Sequence, residues 1–115
     1  MSAKAKPTLW LVVHTHWEGA VFKTRDEYLE DGFRIILNAL NLMRRHQEFR
    51  FVLDPVCHVK PFLERFPVAR EFLKEMVAAK RLEIVGGMDI MPDVNMPGGE
   101  SFARQVLYGK RYWRE

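Results

Sequence analysis

Two histidines and a carboxylate occupy alternate positions near the amino terminus: His14, His16 and Glu18. In an extended backbone, side chains two residues apart point to the same side. An imidazole and a carboxylate placed in this way can bind one divalent ion, and zinc is commonly held by such donors. His16 and Glu18 are therefore candidate ligands, and His14 could support them from behind. The alternative is a polar strand end without an ion.

Two ligands fall short of the three or four that a zinc site needs, so a complete site requires further donors from elsewhere in the chain. Asp54 and His58 follow an apolar run, although Asp-Pro commonly starts a turn and His58 could be an ordinary loop histidine. Asp89, Asp93 and Asn95 lie in a loop rich in turn formers. They could contact a sugar, or their side chains could bond only their own backbone.

The elements that must position these residues alternate along the chain. Apolar, β-branched runs predict strands, and three- and four-residue spacing of apolar residues predicts helices. Thr24 and Glu27 form a capping box at the start of the first helix, whose apolar stripe is Leu29, Phe33, Ile36, Leu40 and Met43. The predicted strands are 8–15, 50–54 and 81–85, and the later helices are 59–66, 67–79 and from about 99 onward.

This β-α-β-α-β-α order predicts an α/β fold with parallel strands. In such folds the functional groups lie at the carboxyl ends of the strands. Every candidate named above lies at or after the carboxyl end of a predicted strand. The asymmetry is the strongest signal in the chain, because the opposite rim, at 47–50 and 78–80, carries mostly surface charge.

Composition narrows the classes of protein. The 115 residues predict a single domain over 1–115, and 48% apolar residues can form a core. The net charge is +3, but the basic residues are scattered, so we expect no nucleic-acid partner. Cys57 is the only cysteine, which excludes an internal disulfide. No apolar run is long enough for a membrane span or a signal peptide, so we expect a cytoplasmic protein without a membrane partner.

Several stretches together resemble a known family. They are VVHTHWE at 12–18, FVLD at 51–54, RLEIVGG at 81–87 and PDVNMPGGESFARQVLYGKRYWRE at 92–115. In this order they resemble the N-terminal part of family 38 glycoside hydrolases, the zinc-dependent α-mannosidases, over nearly the whole chain. The resemblance implies part of a seven-stranded β/α barrel of the glycoside hydrolase/deacetylase type. It also implies hydrolysis of α-mannosides with retention, through a carboxylate nucleophile and an acid/base carboxylate.

The resemblance also implies roles for single residues. The family opens with His-x-His-x-Asp, so His16 stands as a zinc ligand and Glu18 stands where the family has Asp. The family has a tryptophan lining the sugar site where this chain has Val21, so Trp17 or Phe22 would have to supply an aromatic wall. The remaining expected substrate contacts are Asp89, Asp93 and Asn95, the loop candidates named above.

The family's nucleophile follows the segment that matches the end of this chain, so it is expected beyond Glu115. We therefore expect these 115 residues to be inactive alone. We also expect them to self-associate, because an open barrel leaves unpaired strand edges. The alternative interpretation is a small non-catalytic metal- or carbohydrate-binding βα module.

Overall fold

A computed structural model describes residues 6–16 and 21–115 of the chain. Its elements, in chain order, are α1 (Arg25–Arg45), β1 (Phe51–Leu53), α2 (Val56–Arg65), α3 (Ala69–Ala78), β2 (Leu82–Ile84) and α4 (Gly99–Arg114). No helix in the described part of the chain is long and apolar enough to cross a membrane.

The first helix confirms its sequence signals. The Thr24 side chain accepts from the Glu27 amide, and the Glu27 carboxylate accepts from the Thr24 amide, so the predicted capping box is complete. The predicted stripe from Leu29 to Met43 is buried, together with Gly32 and Ala39. At the other end of α1, the Arg81 guanidinium donates to the Met43 carbonyl at 2.7 Å. This bond satisfies a carbonyl in the last turn of α1 and ties it to the start of β2.

The sheet is parallel, as predicted, with β1 paired to β2 in the register Phe51–Leu82, Val52–Glu83 and Leu53–Ile84. The core lies between the sheet and α1, α2 and α3, and Phe62, Ile36 and Met43 are among its fully buried side chains. The described residues thus form a mixed α/β structure. Within them, two strands and one isolated bridge do not make up the seven-stranded barrel that the resemblance implies.

The structure differs most from the prediction at residues 8–15, which were predicted to form a buried strand. The segment forms a single parallel bridge, between His14 and Val52, and has no other strand pairing among the described residues. Leu9, Trp10 and Leu11 are 93%, 84% and 85% exposed. A continuous apolar run is typical of a strand covered on both faces. Here no described element covers residues 9–12. The segment therefore has the apolar sequence of a buried strand, but its side chains are exposed.

Smaller differences concern the helices. The structure begins α2 at Val56, three residues early, and α3 at Ala69, two residues late, which is the usual uncertainty of helix ends. Val77 of α3 and Leu107 of α4 are apolar residues that are 40% and 61% exposed. Both lie on helix faces that no described element covers.

Candidate functional site

The predicted rim begins where the amino-terminal segment meets β1. The Val52 amide donates to the Val13 carbonyl at 2.9 Å, and the Thr15 amide donates to the Val52 carbonyl at 3.1 Å. The Thr15 side chain adds two bonds to Asp54, two residues after Val52. Its hydroxyl donates to the Asp54 carbonyl and accepts from the Asp54 amide, the second contact at 2.9 Å. The segment is therefore held parallel to β1, with its carboxyl end beside Asp54.

Burial alternates along this end of the segment. Thr15 is 2% exposed, whereas His14 and His16 are both exposed. The two imidazoles therefore flank an inward-facing threonine, as neighbours in an extended backbone do. His14 Nδ1 lies 2.5 Å from the Thr15 carbonyl oxygen. A carbonyl only accepts, so Nδ1 carries the proton and Nε2 of the neutral ring is left as the acceptor.

Asp54 adds a carboxyl group to the same rim, just past the carboxyl end of β1. Burial raises the pKa of this half-buried carboxyl, and the charges of His14 and His16 act in the opposite direction. Gly86 lies directly against it, because a Cβ at Gly86 would stand 2.8 Å from Asp54 Oδ1. Gly86 also has φ +77°, a conformation that favours glycine. The glycine pair after β2 thus makes room for a carboxylate as well as ending the strand.

Asp89 is fixed at the same rim through its backbone. The Cys57 amide at the start of α2 donates to the Asp89 carbonyl at 2.8 Å, and the Asp89 amide donates to the Gln105 carbonyl at 3.0 Å. The Gln105 side chain accepts from the Ile90 amide at 2.8 Å. Gln105 was not among the residues predicted from the sequence, since a glutamine in a helix gives no signal of its own.

The remaining candidates in the loop before α4 lie on the surface. Asp93 and Asn95 are exposed, and the Asp93 carboxylate accepts from the Asn95 amide at 2.8 Å. This bond is the local turn chemistry that the sequence left as the alternative for this pair. Trp17 and Glu18 lie outside the described residues, so their predicted roles stay predictions.

His58, a candidate from the sequence, and its neighbour Cys57 are both unsuited to bind an ion at the rim. His58 is buried at 2% exposure against α1, where a Cβ on Gly32 would lie 2.8 Å from its Nε2. Burial lowers the pKa of His58 to about 4. Burial and the nearby Asp89 and Asp54 raise the pKa of the Cys57 thiol to about 12, which keeps it from the thiolate form that binds metals.

The donors at the rim suit zinc in kind. They are imidazole nitrogens at His14 and His16 and a carboxylate at Asp54, which zinc prefers. Among residues 6–16 and 21–115, no group of three such side chains is arranged to hold an ion. The described residues therefore offer donors of a suitable kind without a complete set, and the zinc site, with Glu18 as a further donor outside the described residues, stays a prediction.

Comparisons with known proteins give the family. The model of the glycosyl hydrolases family 38 N-terminal domain matches residues 6–115. Alpha-mannosidase G of Dictyostelium discoideum is 28% identical over 118 residues, covering 99% of this chain and 10% of that protein. Alpha-mannosidase 2C1 of Homo sapiens is 26% identical over 110 residues, covering 96% of this chain and 11% of its own length.

A solved structure gives the same result. The crystal structure of an alpha-mannosidase from Enterococcus faecalis V583 superposes with a TM-score of 0.80 at 28% identity, covering 90% of this chain and 12% of that chain. The chain belongs to glycosyl hydrolase family 38 and matches its N-terminal domain. The resemblance drawn from the sequence is confirmed. The chain spans about a tenth of the length of these relatives.

Proposed function

We propose that the chain forms the metal-binding first part of an α-mannosidase active site. In this proposal His16 and Glu18 hold zinc, His14 supports them, and Trp17, Asp89, Asp93 and Asn95 face an α-mannoside. The observation that supports it best is the parallel docking of the amino-terminal segment, which fixes Thr15, between His14 and His16, to the backbone of Asp54 past the end of β1. Family membership supplies the substrate class.

Zinc, when bound, would act as a Lewis acid toward sugar hydroxyls and help to hold the ring in a distorted form. The residues of this chain would position the substrate and present the metal. Hydrolysis with retention requires two carboxyl groups about 5 Å apart, a nucleophile and an acid/base. We assign neither role within these 115 residues, and so expect the chain alone not to hydrolyse an α-mannoside.

Zinc titration followed by the histidine ring proton resonances tests the metal part of the proposal. The four histidines report four places at once. We expect the His16 resonance to shift with zinc while that of His46, at the far end of α1, stays in place. Glu18→Gln is expected to weaken binding at least tenfold. Equal shifts at His16 and His46, or no shift at His16, would count against a metal site here.

The non-catalytic module is the second candidate, favoured because we assign no nucleophile within these 115 residues. It predicts a complete site, so that zinc should stay bound at one per chain after gel filtration with a chelator. The α-mannosidase proposal predicts a partial site that releases its zinc under these conditions. Metal analysis of the eluted protein, with His16→Ala as a control, distinguishes the two.

A further inference from the structure

We propose that Thr15 is the positioning residue of this half-site: its hydroxyl fixes the orientation of His14 and His16 by bonding both backbone groups of Asp54. The inference rests on the proposed metal site. It concerns a residue that binds neither metal nor sugar and acts through its two neighbours.

The first support is the unusual burial of a polar side chain. Thr15 is 2% exposed, one of two buried polar residues among those described. A buried hydroxyl is costly unless it is hydrogen-bonded. Here the hydroxyl is fully used, donating to the Asp54 carbonyl and accepting from the Asp54 amide. Threonine is therefore held in one orientation by two bonds to a single residue.

The second support is where the bonds of the described backbone end. Among residues 6–16, the backbone bonds to β1 run from Val13 to Thr15 and involve only Val52. Asp54 lies two residues further along, past the end of β1, where a continuing strand would have bonded its amide and carbonyl. The Thr15 hydroxyl supplies both bonds. It thus extends the pairing by a side chain at the point where the imidazoles must be placed.

The third support is the weak attachment of the rest of the segment. Leu9, Trp10 and Leu11 are almost fully exposed and contribute little packing to hold it. Few contacts other than those at Val13 and Thr15 therefore set the direction of the chain. Because side chains alternate along an extended backbone, an inward Thr15 requires His14 and His16 to face the other way. A preorganised donor binds a metal more tightly, since less ordering is left to binding.

A matched set of variants tests the role of the hydroxyl in the 115-residue chain. Thr15→Val keeps the shape and removes the hydroxyl, Thr15→Ser keeps the hydroxyl and removes the methyl, and Thr8→Val changes an exposed threonine in the same segment. Zinc is titrated against each while the His16 ring resonance is followed. We expect the dissociation constant to rise at least fivefold in Thr15→Val and to change less than twofold in Thr15→Ser and Thr8→Val.

A structural role alone would alter stability without this pattern. The core formed by α1, α2, α3 and the sheet does not depend on the segment, so the thermal midpoint of Thr15→Val should stay within a few degrees of wild type. Faster exchange of the Asp54 amide in Thr15→Val would show the lost bond directly. Wild-type zinc affinity in Thr15→Val, or equal weakening in Thr15→Ser, would overturn the inference while leaving the metal site intact. A wild-type chain with no zinc response at His16 would overturn both.

Discussion

Burial separates His58 from the other three histidines. Its ring is buried between α2 and α1, whereas His14, His16 and His46 are exposed. The tight contact with Gly32 leaves no room for a larger residue at that position of α1. His58 is therefore a packing residue of the core, and its chemistry is expressed in stability.

We predict that His58 makes the chain less stable in mild acid. Its pKa is lowered to about 4 in the folded chain by burial, against an ordinary value of 6.5. The unfolded chain therefore binds the extra proton as pH falls below about 6.5, and the loss of stability is complete near pH 4. The effect should reach about 2 to 3 kcal/mol. Urea unfolding between pH 4 and 7 measures it.

His58→Leu is expected to remove this part of the pH dependence, whatever it does to stability at pH 7. His46→Gln is the matched control, because His46 is exposed at the end of α1. An unchanged slope between pH 4 and 6.5 in His58→Leu would show that the buried imidazole is not its cause.

At the residue scale, the sequence indicated which polar residues stand at the strand ends, but not which atoms they contact. His14, His16 and Asp54 were identified as polar groups at the ends of predicted strands, and their joint role in a site stays a prediction. Gly86, Gln105 and Thr15 were not given their roles. Thr15 and Gln105 bond backbone groups of residues distant in sequence, and Gly86 makes room for the Asp54 carboxyl group. Such contacts leave no periodic or spacing signal. A threonine at a predicted buried position was the one available hint, since a buried hydroxyl needs a partner.

At the scale of the elements, α4 packs very closely against the loop that follows β2. Gly109 is its buried residue, and a Cβ there would lie 2.3 Å from the Gly87 carbonyl oxygen and 2.7 Å from the Asp89 amide nitrogen. The glycine lets the helix pack directly against the loop that carries Asp89. Gln105, one turn earlier, bonds the same loop.

We predict that Gly109→Ala destabilises the chain although alanine is the better helix former. The added methyl would meet backbone atoms that cannot turn aside, so the helix must move off the loop, at a cost of about 2 kcal/mol or more. Gly99→Ala in the same helix is the control, since nothing lies within 4 Å of a Cβ there. Urea unfolding of both variants should show a lower midpoint for Gly109→Ala alone. Equal midpoints would contradict the contact.

Element prediction succeeded where local signals and tertiary packing agree. The capping box and the apolar stripe of α1 are both local, and both are present. The parallel pairing followed from strand–helix alternation. The segment over 8–15 failed because strand formation depends on neighbours, and the described residues give it one bridge. Its apolar residues are consistent with a buried strand, but they do not determine whether neighbouring strands are present to pair with it.

At the scale of the whole molecule, apolar side chains stand exposed along the amino-terminal segment, Leu9, Trp10, Leu11 and Val12 among them. Contiguous exposed apolar surface favours association. We predict that the 115-residue chain self-associates at high concentration. Sedimentation velocity should show a concentration-dependent rise in sedimentation coefficient.

The double variant Leu9→Lys with Leu11→Lys should reduce this association, because it places charge in the exposed stretch. Val68→Lys is the control, since Val68 is a similarly exposed apolar residue at the start of α3. A wild-type chain that sediments as a monomer at all concentrations, or equal effects of the two sets of variants, would contradict the role of the segment.

The central claim is that residues 6–115 provide a working part of an α-mannosidase active site, with His16 in its metal site. The most direct measurement is hydrolysis of an aryl α-mannoside by a chimera in which residues 6–115 replace the matching segment of the Enterococcus faecalis alpha-mannosidase. We predict zinc-dependent hydrolysis that falls at least a hundredfold with His16→Ala and persists with His46→Ala. A folded chimera that hydrolyses no α-mannoside, or one that keeps its activity with His16→Ala, would contradict the account.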